Sequence, residues 1–278
     1  MSLNAQVLSL AIATVFGSTL MAQTAAPATP AAPAAAATPD NSFAYNIGLF
    51  SHYQYRGLTQ TMYKPAVQGG FDYTHSGGFY AGVWGSNSSW GKDYGFGAKK
   101  GAEIDLYAGY KFTFGDVTLD LGFLHYEFTA KNYAKSSYCN CVPDKTNTDE
   151  LYAAVSYKWL TLKNSITLGN AFGTHASKGS TYTDLTAAYP INEQLTLTAH
   201  AGYQYIAGKY GSGSSAFDNN KAYSYADYKL ELAYDAGSGV SLGAGVTGTN
   251  AKKAYYASVY TGEFTGETTP YAFVKYTF

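Results

Sequence analysis

The sequence predicts an all-β fold, a transmembrane antiparallel up-and-down β-barrel of about 12 strands with short periplasmic turns and long extracellular loops. Three observations predict it. Segment after segment alternates apolar and polar residues with period two, near the roughly 9 to 11 residues a tilted strand needs to cross a bilayer. The gaps between these segments run short and long in turn. The chain also ends in an alternating stretch, Thr269 to Phe278, that sets Phe278, Tyr276, Val274 and Ala272 against Thr277, Lys275, Phe273 and Tyr271. An aromatic final residue on such a stretch suits the strand that closes a barrel.

The first segment, Phe43 to Arg56, puts Phe43, Tyr45, Ile47 and Leu49 opposite Asn46, Gly48, His52, Gln54 and Arg56. The second sets Val67, Phe71 and Tyr73 against Gln68, Gly70, Asp72 and Thr74, and in the third, Gly78 to Ser86, the two faces rank equally. The fourth opposes Ala102, Ile104, Leu106, Ala108 and Tyr110 to Glu103, Asp105, Tyr107, Gly109 and Lys111. Further segments run through Val117 to Phe123, Glu150 to Trp159, Leu162 to Phe172, Thr181 to Tyr189, Leu195 to Gln204, Asp227 to Asp235 and Val240 to Thr247. A soluble β-sandwich would show the same alternation with its apolar face turned inward, so parity alone does not choose. The connections do. Gaps are short after the second, fourth, sixth, eighth and tenth segments, long after the third, fifth, ninth and eleventh, and intermediate after the first and seventh. Turns on one rim and loops on the other mark a membrane barrel, whereas a Greek-key sandwich has no reason to keep that order.

Composition agrees. Of the 278 residues 17% are aromatic, 28 of them Tyr, and only 13% are charged. Tyrosine's apolar ring and polar tip suit a membrane–water interface. A net charge of −1 speaks against a nucleic-acid partner, which calls for a basic surface. Past the first two dozen residues no apolar run is long enough for a helical span, so a membrane crossing must be made by a closed barrel.

Residues 1–22 read as a signal peptide. Their apolar run AQVLSLAIATVFGSTLM lacks a basic start, and a retained anchor is the other reading. Residues 23–42, built from Ala, Pro and Thr, have little to bury and read as a flexible periplasmic segment, leaving 43–278 as the barrel. Cys139 and Cys141 are separated by one residue. In an oxidising compartment they form either a strained loop disulfide or stay free or otherwise modified. No metal site or cofactor is expected.

The stretch Asn46 to Trp90 carries Ser51, Tyr53, Arg56-Gly57, Gln60-Thr61, Pro65-Ala66, Gln68-Gly69-Gly70, Asp72-Tyr73, Gly78-Phe79-Tyr80-Ala81-Gly82 and Trp84-Gly85-Ser86. It resembles the N-terminal signature of the TorF-like porin family, with His52 in place of an acidic or amide residue. The resemblance implies an outer-membrane barrel with porin character and brings no substrate and no functional residues.

By parity the lumen would be lined by Arg56, Asp72, Glu103, Asp105, Lys111, Asp120, Glu150, Lys158, Lys229 and Glu231. With Asp184, Asp227, Lys163 and Lys275 these give acids and bases in rough balance, so strong ion selectivity is not expected. Arg56, the chain's only arginine, is the first choice for a rim or constriction role, with a structural ion pair as the alternative. One of the long loops folding inward to narrow the channel is a further expectation. The function expected is passive diffusion of small hydrophilic solutes through a porin-like channel in the outer membrane of a Gram-negative bacterium. Its partners would be membrane lipid and lipopolysaccharide, and the barrel-assembly machinery through the strand ending at Phe278. Two alternatives stand beside it: a phospholipase-like barrel enzyme, for which His125 and His200 have no obvious Ser partner, and a structural or adhesive barrel.

Overall fold

A computed structural model of the chain describes residues 40–95, 100–129, 146–213 and 216–278. Twelve strands close into a single antiparallel barrel. In chain order they are β1 (Asn41–Phe50), β2 (Ala66–His75), β3 (Phe79–Ser88), β4 (Gly101–Phe114), β5 (Val117–Phe128) and β6 (Thr148–Tyr157). Then follow β7 (Leu160–Thr167), β8 (Thr181–Pro190), β9 (Leu195–Tyr205), β10 (Tyr225–Gly237), β11 (Val240–Thr249) and β12 (Thr269–Thr277). Each strand pairs with its sequence neighbours, and β12 returns to pair with β1 from Asn46↔Thr277 to Phe50↔Phe273. The final residue takes part in the seal. Tyr45 and Phe278 exchange backbone hydrogen bonds of 3.0 and 2.9 Å, and their rings stack at 5.6 Å.

The faces are inverted relative to a soluble fold. On β7, Leu162 is 53% exposed while the adjacent Lys163 is 4% exposed. The same holds around the wall: Phe43, Ile47, Leu49, Val67, Leu106, Val155, Leu230 and Val274 face outward, and Gln68, Asp72, Glu103, Asp120, Glu150 and Glu231 are buried inside. Apolar side chains outside and charged ones within belong to a wall bathed in lipid, not to a water-soluble sandwich. Aromatic side chains gather outside the short-turn rim. Phe43 packs on Tyr73 and Tyr73 on Phe79, Tyr110 on Phe112, and Trp159 on Tyr189, as an interfacial girdle requires.

Rim asymmetry is complete, with turns at 76–78, 115–116, 158–159, 191–194 and 238–239 opposite connections at 51–65, 89–100, 129–147, 168–180, 206–224 and 250–268. Lys158 is the first correction. With φ at 53° it is a turn residue of the tight β6–β7 hairpin and is exposed, so it leaves the predicted lumen set. β1 begins at Asn41, so two residues assigned to the flexible segment are strand, and β1 stops at Phe50 rather than running to Arg56. Leu162 to Phe172 is likewise not all strand. β7 ends at Thr167, and Ala171–Gly173 is a 3-10 turn with Phe172 in left-handed geometry at φ 48°. The expected signal peptide, most of the Ala/Pro-rich segment, Cys139 and Cys141 lie outside the described residues.

Inside the barrel, tyrosine rings lie flat against glycines of the neighbouring strand. A Cβ added to Gly82 would sit 2.5 Å from the Tyr107 ring, one on Gly109 2.3 Å from the Tyr80 hydroxyl, and one on Gly122 2.3 Å from the Tyr152 ring. These residues recur on the inward face because a large ring fits a tapering interior only where its cross-strand partner has no side chain. Gly122→Val is therefore expected to cost about 1 to 3 kcal/mol through overpacking. Gly169→Ala, where nothing lies within 4 Å of an added Cβ, is expected to be silent. Urea unfolding midpoints of the two variants in micelles check this.

Candidate functional site

The site is built by residues 51–65, which leave the wall after Phe50 and fold back into the lumen. Within them Gln54–Tyr55 and Leu58–Thr59 pair as a miniature antiparallel hairpin whose two turn residues are Arg56 and Gly57. Both are left-handed, φ 46° and 74°. That is the primed turn a two-residue hairpin favours, and it carries an arginine where Asn or Gly is usual. Placing a non-glycine residue there costs roughly 1 kcal/mol or more, so something must hold it. Gly57 faces the barrel wall so closely that an added Cβ would lie 2.4 Å from Thr249 Cγ2 and 2.7 Å from Asp227 Cβ.

What holds the turn is the far wall. Arg56, 1% exposed, donates from Nη2 to both Glu150 carboxylate oxygens at 2.9 Å and from Nη1 to Gln204 Oε1 at 2.6 Å. Its guanidinium lies 4.3 Å from the Tyr182 ring centre and 4.9 Å from that of Tyr55. A planar, permanently charged fork can satisfy a carboxylate, an amide and two aromatic faces together; a lysine could not. Around this centre Tyr55 donates to the Tyr126 hydroxyl at 3.0 Å, and Tyr126 donates to Glu150 at 3.2 Å. Tyr53, its ring tilted against that of Trp84 at 5.4 Å, donates to Glu103 at 3.0 Å. Phe172 closes one side, its ring centre 5.6 Å from that of Tyr55.

The base of the hairpin is tied to the β11–β12 connection. Thr59 N–H donates to the Thr265 carbonyl at 2.8 Å, and Tyr63 hydroxyl to the Phe264 carbonyl at 2.7 Å. Leu58 packs in a small apolar cluster with Tyr225 and Ala251, flanked by Tyr256 and Phe264. The inward segment is thus fastened to several strands and to a loop, and it narrows the lumen from within.

Of the sequence-predicted lining residues, Asp72, Glu103, Asp105, Asp120, Glu150 and Glu231 are buried on the inner face, and Lys111 and Lys229 share it. Arg56 is inside too, but on the hairpin tip rather than on a strand. Tyrosine hydroxyls donate to many of the acids: Tyr80 to Asp120, Tyr107 to Asp72, Tyr182 to Asp227 and Tyr271 to Glu231. Sequence reading missed these pairs, although the regular appearance of Tyr and Asp or Glu on the inward parity is their trace. His200 sits in the same network, its Nε2 3.0 Å from Tyr182 Oη and from Asp227 Oδ1 and its Nδ1 3.0 Å from Thr186 Oγ1. His125 lies on the outer face, 2.6 Å from Asp149.

Residues 34–278 match the family model described as Gcw_chp, a bacterial protein of unknown function. The chain belongs to the Gcw_chp family. No curated protein matches this family member in sequence. Among solved structures, the COG4313 outer membrane channel from Pseudomonas putida F1 is 11% identical at TM-score 0.52, covering 87% of this chain and 96% of that one. The KdgM porin is 10% identical at TM-score 0.48, over 85% and 98% of the two chains. The outer membrane protein OprD from Pseudomonas aeruginosa is 16% identical at TM-score 0.37, over 85% and 65%. The first of these likenesses agrees with the closed antiparallel barrel described above. The family match supplies no TorF-like assignment.

His52, in the inward segment, is buried with its ring edge-on to Tyr63 and Tyr271, and its pKa falls from 6.5 to about 4 because burial disfavours the charged ring. The folded state therefore keeps His52 neutral while the unfolded chain protonates it. Its contribution to stability is full above about pH 6.5 and is lost as pH falls towards 4. Between pH 7 and 5 the wild-type urea midpoint is expected to drop further than that of His52→Phe, which keeps the ring contacts and cannot titrate.

Proposed function

We propose that this protein is a porin-like outer-membrane channel for small hydrophilic solutes, narrowed by the inward hairpin. The observation that carries the reading is the inversion of polarity across the wall, seen in the contrast between Leu162 and Lys163. A lumen lined by ionisable groups has use for water, and buried polar atoms such as both amide atoms of Gln54, the Asp120 Oδ2 and the Glu231 Oε1 meet no hydrogen-bond partner among the described residues. Leaving each of them dry would cost about 1 to 3 kcal/mol, which a hydrated interior avoids. Residues Asn46 to Trp90, with their TorF-like porin character, support the same reading, and most of that signature forms the hairpin and the strands flanking it.

The outer membrane of a Gram-negative bacterium is the compartment this reading assigns, with lipid and lipopolysaccharide against the apolar wall. β12, followed directly by Phe278 with its ring exposed, is the element offered to the barrel-assembly machinery. The protein acts in this reading without catalysis. His200 has its ring nitrogens engaged by Tyr182, Asp227 and Thr186, which suits a lumen network better than a base serving a serine nucleophile.

Refolded protein in planar bilayers is expected to give stepwise conductance. Arg56→Ala, which releases the hairpin from Glu150, and Gly57→Ala, which cannot seat its methyl against Thr249, should both give larger or noisier steps. Absence of conductance in all three proteins would contradict the proposal, and release of fatty acid from phospholipid with calcium would replace it with the enzymatic reading.

A further inference from the structure

The inward segment reaches further round the barrel than a constriction on one side requires. His52 packs edge-on to Tyr271 of β12, Tyr53 donates to Glu103 of β4 and lies against Trp84 of β3, and Tyr55 donates to Tyr126 of β5. Arg56 then bonds Glu150 of β6 and Gln204 of β9 and covers the Tyr182 ring of β8, while Gly57 abuts Thr249 of β11 and Asp227 of β10. Residues 52–57, arriving from β1, thus meet strands on opposite sides of the ring. A chain that touches both walls at one level fills the narrow cross-section of a twelve-stranded barrel. Burial along β4 agrees with this. On its inward face Glu103, Asp105 and Tyr107 are buried, Gly109 and Lys111 are half-buried, and Thr113 beside the short turn is exposed. The lumen opens to solvent at the short-turn mouth and closes toward the hairpin.

The closing element is strained and lightly held at its tip. Arg56, Met62 and Tyr63 all have left-handed backbone, φ 46°, 49° and 55°, a conformation that residues other than glycine avoid. Both amide atoms of Gln54 and the Nε2 of His52 are buried without a hydrogen-bond partner among the described residues, so leaving the lumen costs them no bond to the wall. The base is anchored differently, by Thr59 and Tyr63 on the β11–β12 connection and by Leu58 in its apolar cluster. An element fixed at its base, strained along its length and pinned across the lumen chiefly by one ion pair is suited to local opening while the wall stays folded.

Resting on the channel reading above, we propose that residues 51–65 are a plug that closes the barrel at rest, and that solute passes only when the tip lets go of the far wall. The pair between Arg56 and Glu150 is the latch. Its release frees the tip from β6, β8 and β9 together, because the same guanidinium serves all three.

The test is the time course of current through refolded protein in planar bilayers. Wild type is expected to stay closed for most of the recording with brief openings, and Arg56→Ala to raise the open fraction at least about tenfold, a conservative figure for losing one partner of a buried ion pair. A second readout needs no conduction and leaves the latch intact. With Cys139→Ser and Cys141→Ser as background, Gln54→Cys places a thiol in the plug at a side chain that has no partner to lose among the described residues. In micelles this thiol is expected to react slowly with a water-soluble thiol reagent at urea concentrations where the circular dichroism of the barrel is unchanged, and at least about tenfold faster once Arg56→Ala is added. A wild type that holds a steady open level overturns the plug and keeps the channel, and labelling that begins only as the barrel unfolds likewise overturns the plug. A protein that never conducts yet labels with its barrel intact keeps the movable segment and overturns the channel reading, while one that neither conducts nor labels before unfolding overturns both.

Discussion

The pair formed by Arg56 and Glu150 is what the interior depends on. Two ions 1% exposed would be a burden anywhere in a protein unless geometry and hydrogen bonds repay their desolvation, and here one guanidinium nitrogen reaches both carboxylate oxygens while Gln204, Tyr55 and Tyr182 engage the rest of the group. Taking either partner away would strand the other inside the barrel. The pair therefore fixes a segment near the N-terminal edge of the wall to strands on its other side, and it pays for the left-handed turn that delivers the arginine.

The wall itself was legible in the sequence. Period-two alternation placed Ile104 and Leu106 outside and Glu103 and Asp105 inside, and the alternation of short and long gaps separated a membrane barrel from a sandwich before any coordinates. The third segment, ambiguous in sequence, resolves because Tyr80 and Trp84 are as bulky as the outward Phe79 and Val83, and only their cross-strand setting decides which face they take. Tyr80 reaches Asp120, while Trp84 lies beside Tyr53. Side chains that are large on both faces defeat a rule based on polarity.

The site was only half legible. Its acids were found by parity, and Arg56 was singled out for being alone of its kind. Its true position was hidden because Gln54, Tyr55 and Arg56 continue the alternation of β1 past Phe50, so the hairpin looked like more strand. The signal that marks it is Arg56-Gly57, a two-residue turn of unusual composition flanked by Gln54-Tyr55 and Leu58-Thr59. The expected inward element was sought among the long, Gly- and Ser-rich loops, but such loops carry little to bury. The segment that does turn inward carries three Tyr, two Gln and two Thr, which can satisfy a crowded polar interior. Lys158 was misplaced for the complementary reason, since a tight turn can interrupt alternation without any Gly to announce it.

The measurement that bears most directly on this account is a double-mutant cycle on unfolding free energy in micelles, using Arg56→Ala, Glu150→Ala and the combination. If the hairpin lies across the lumen on its ion pair, the two changes are strongly non-additive, with a coupling energy of about 1 to 3 kcal/mol and the double variant hardly less stable than either single one. Additive losses would mean that Arg56 and Glu150 do not meet, and the hairpin would have to be placed outside the barrel.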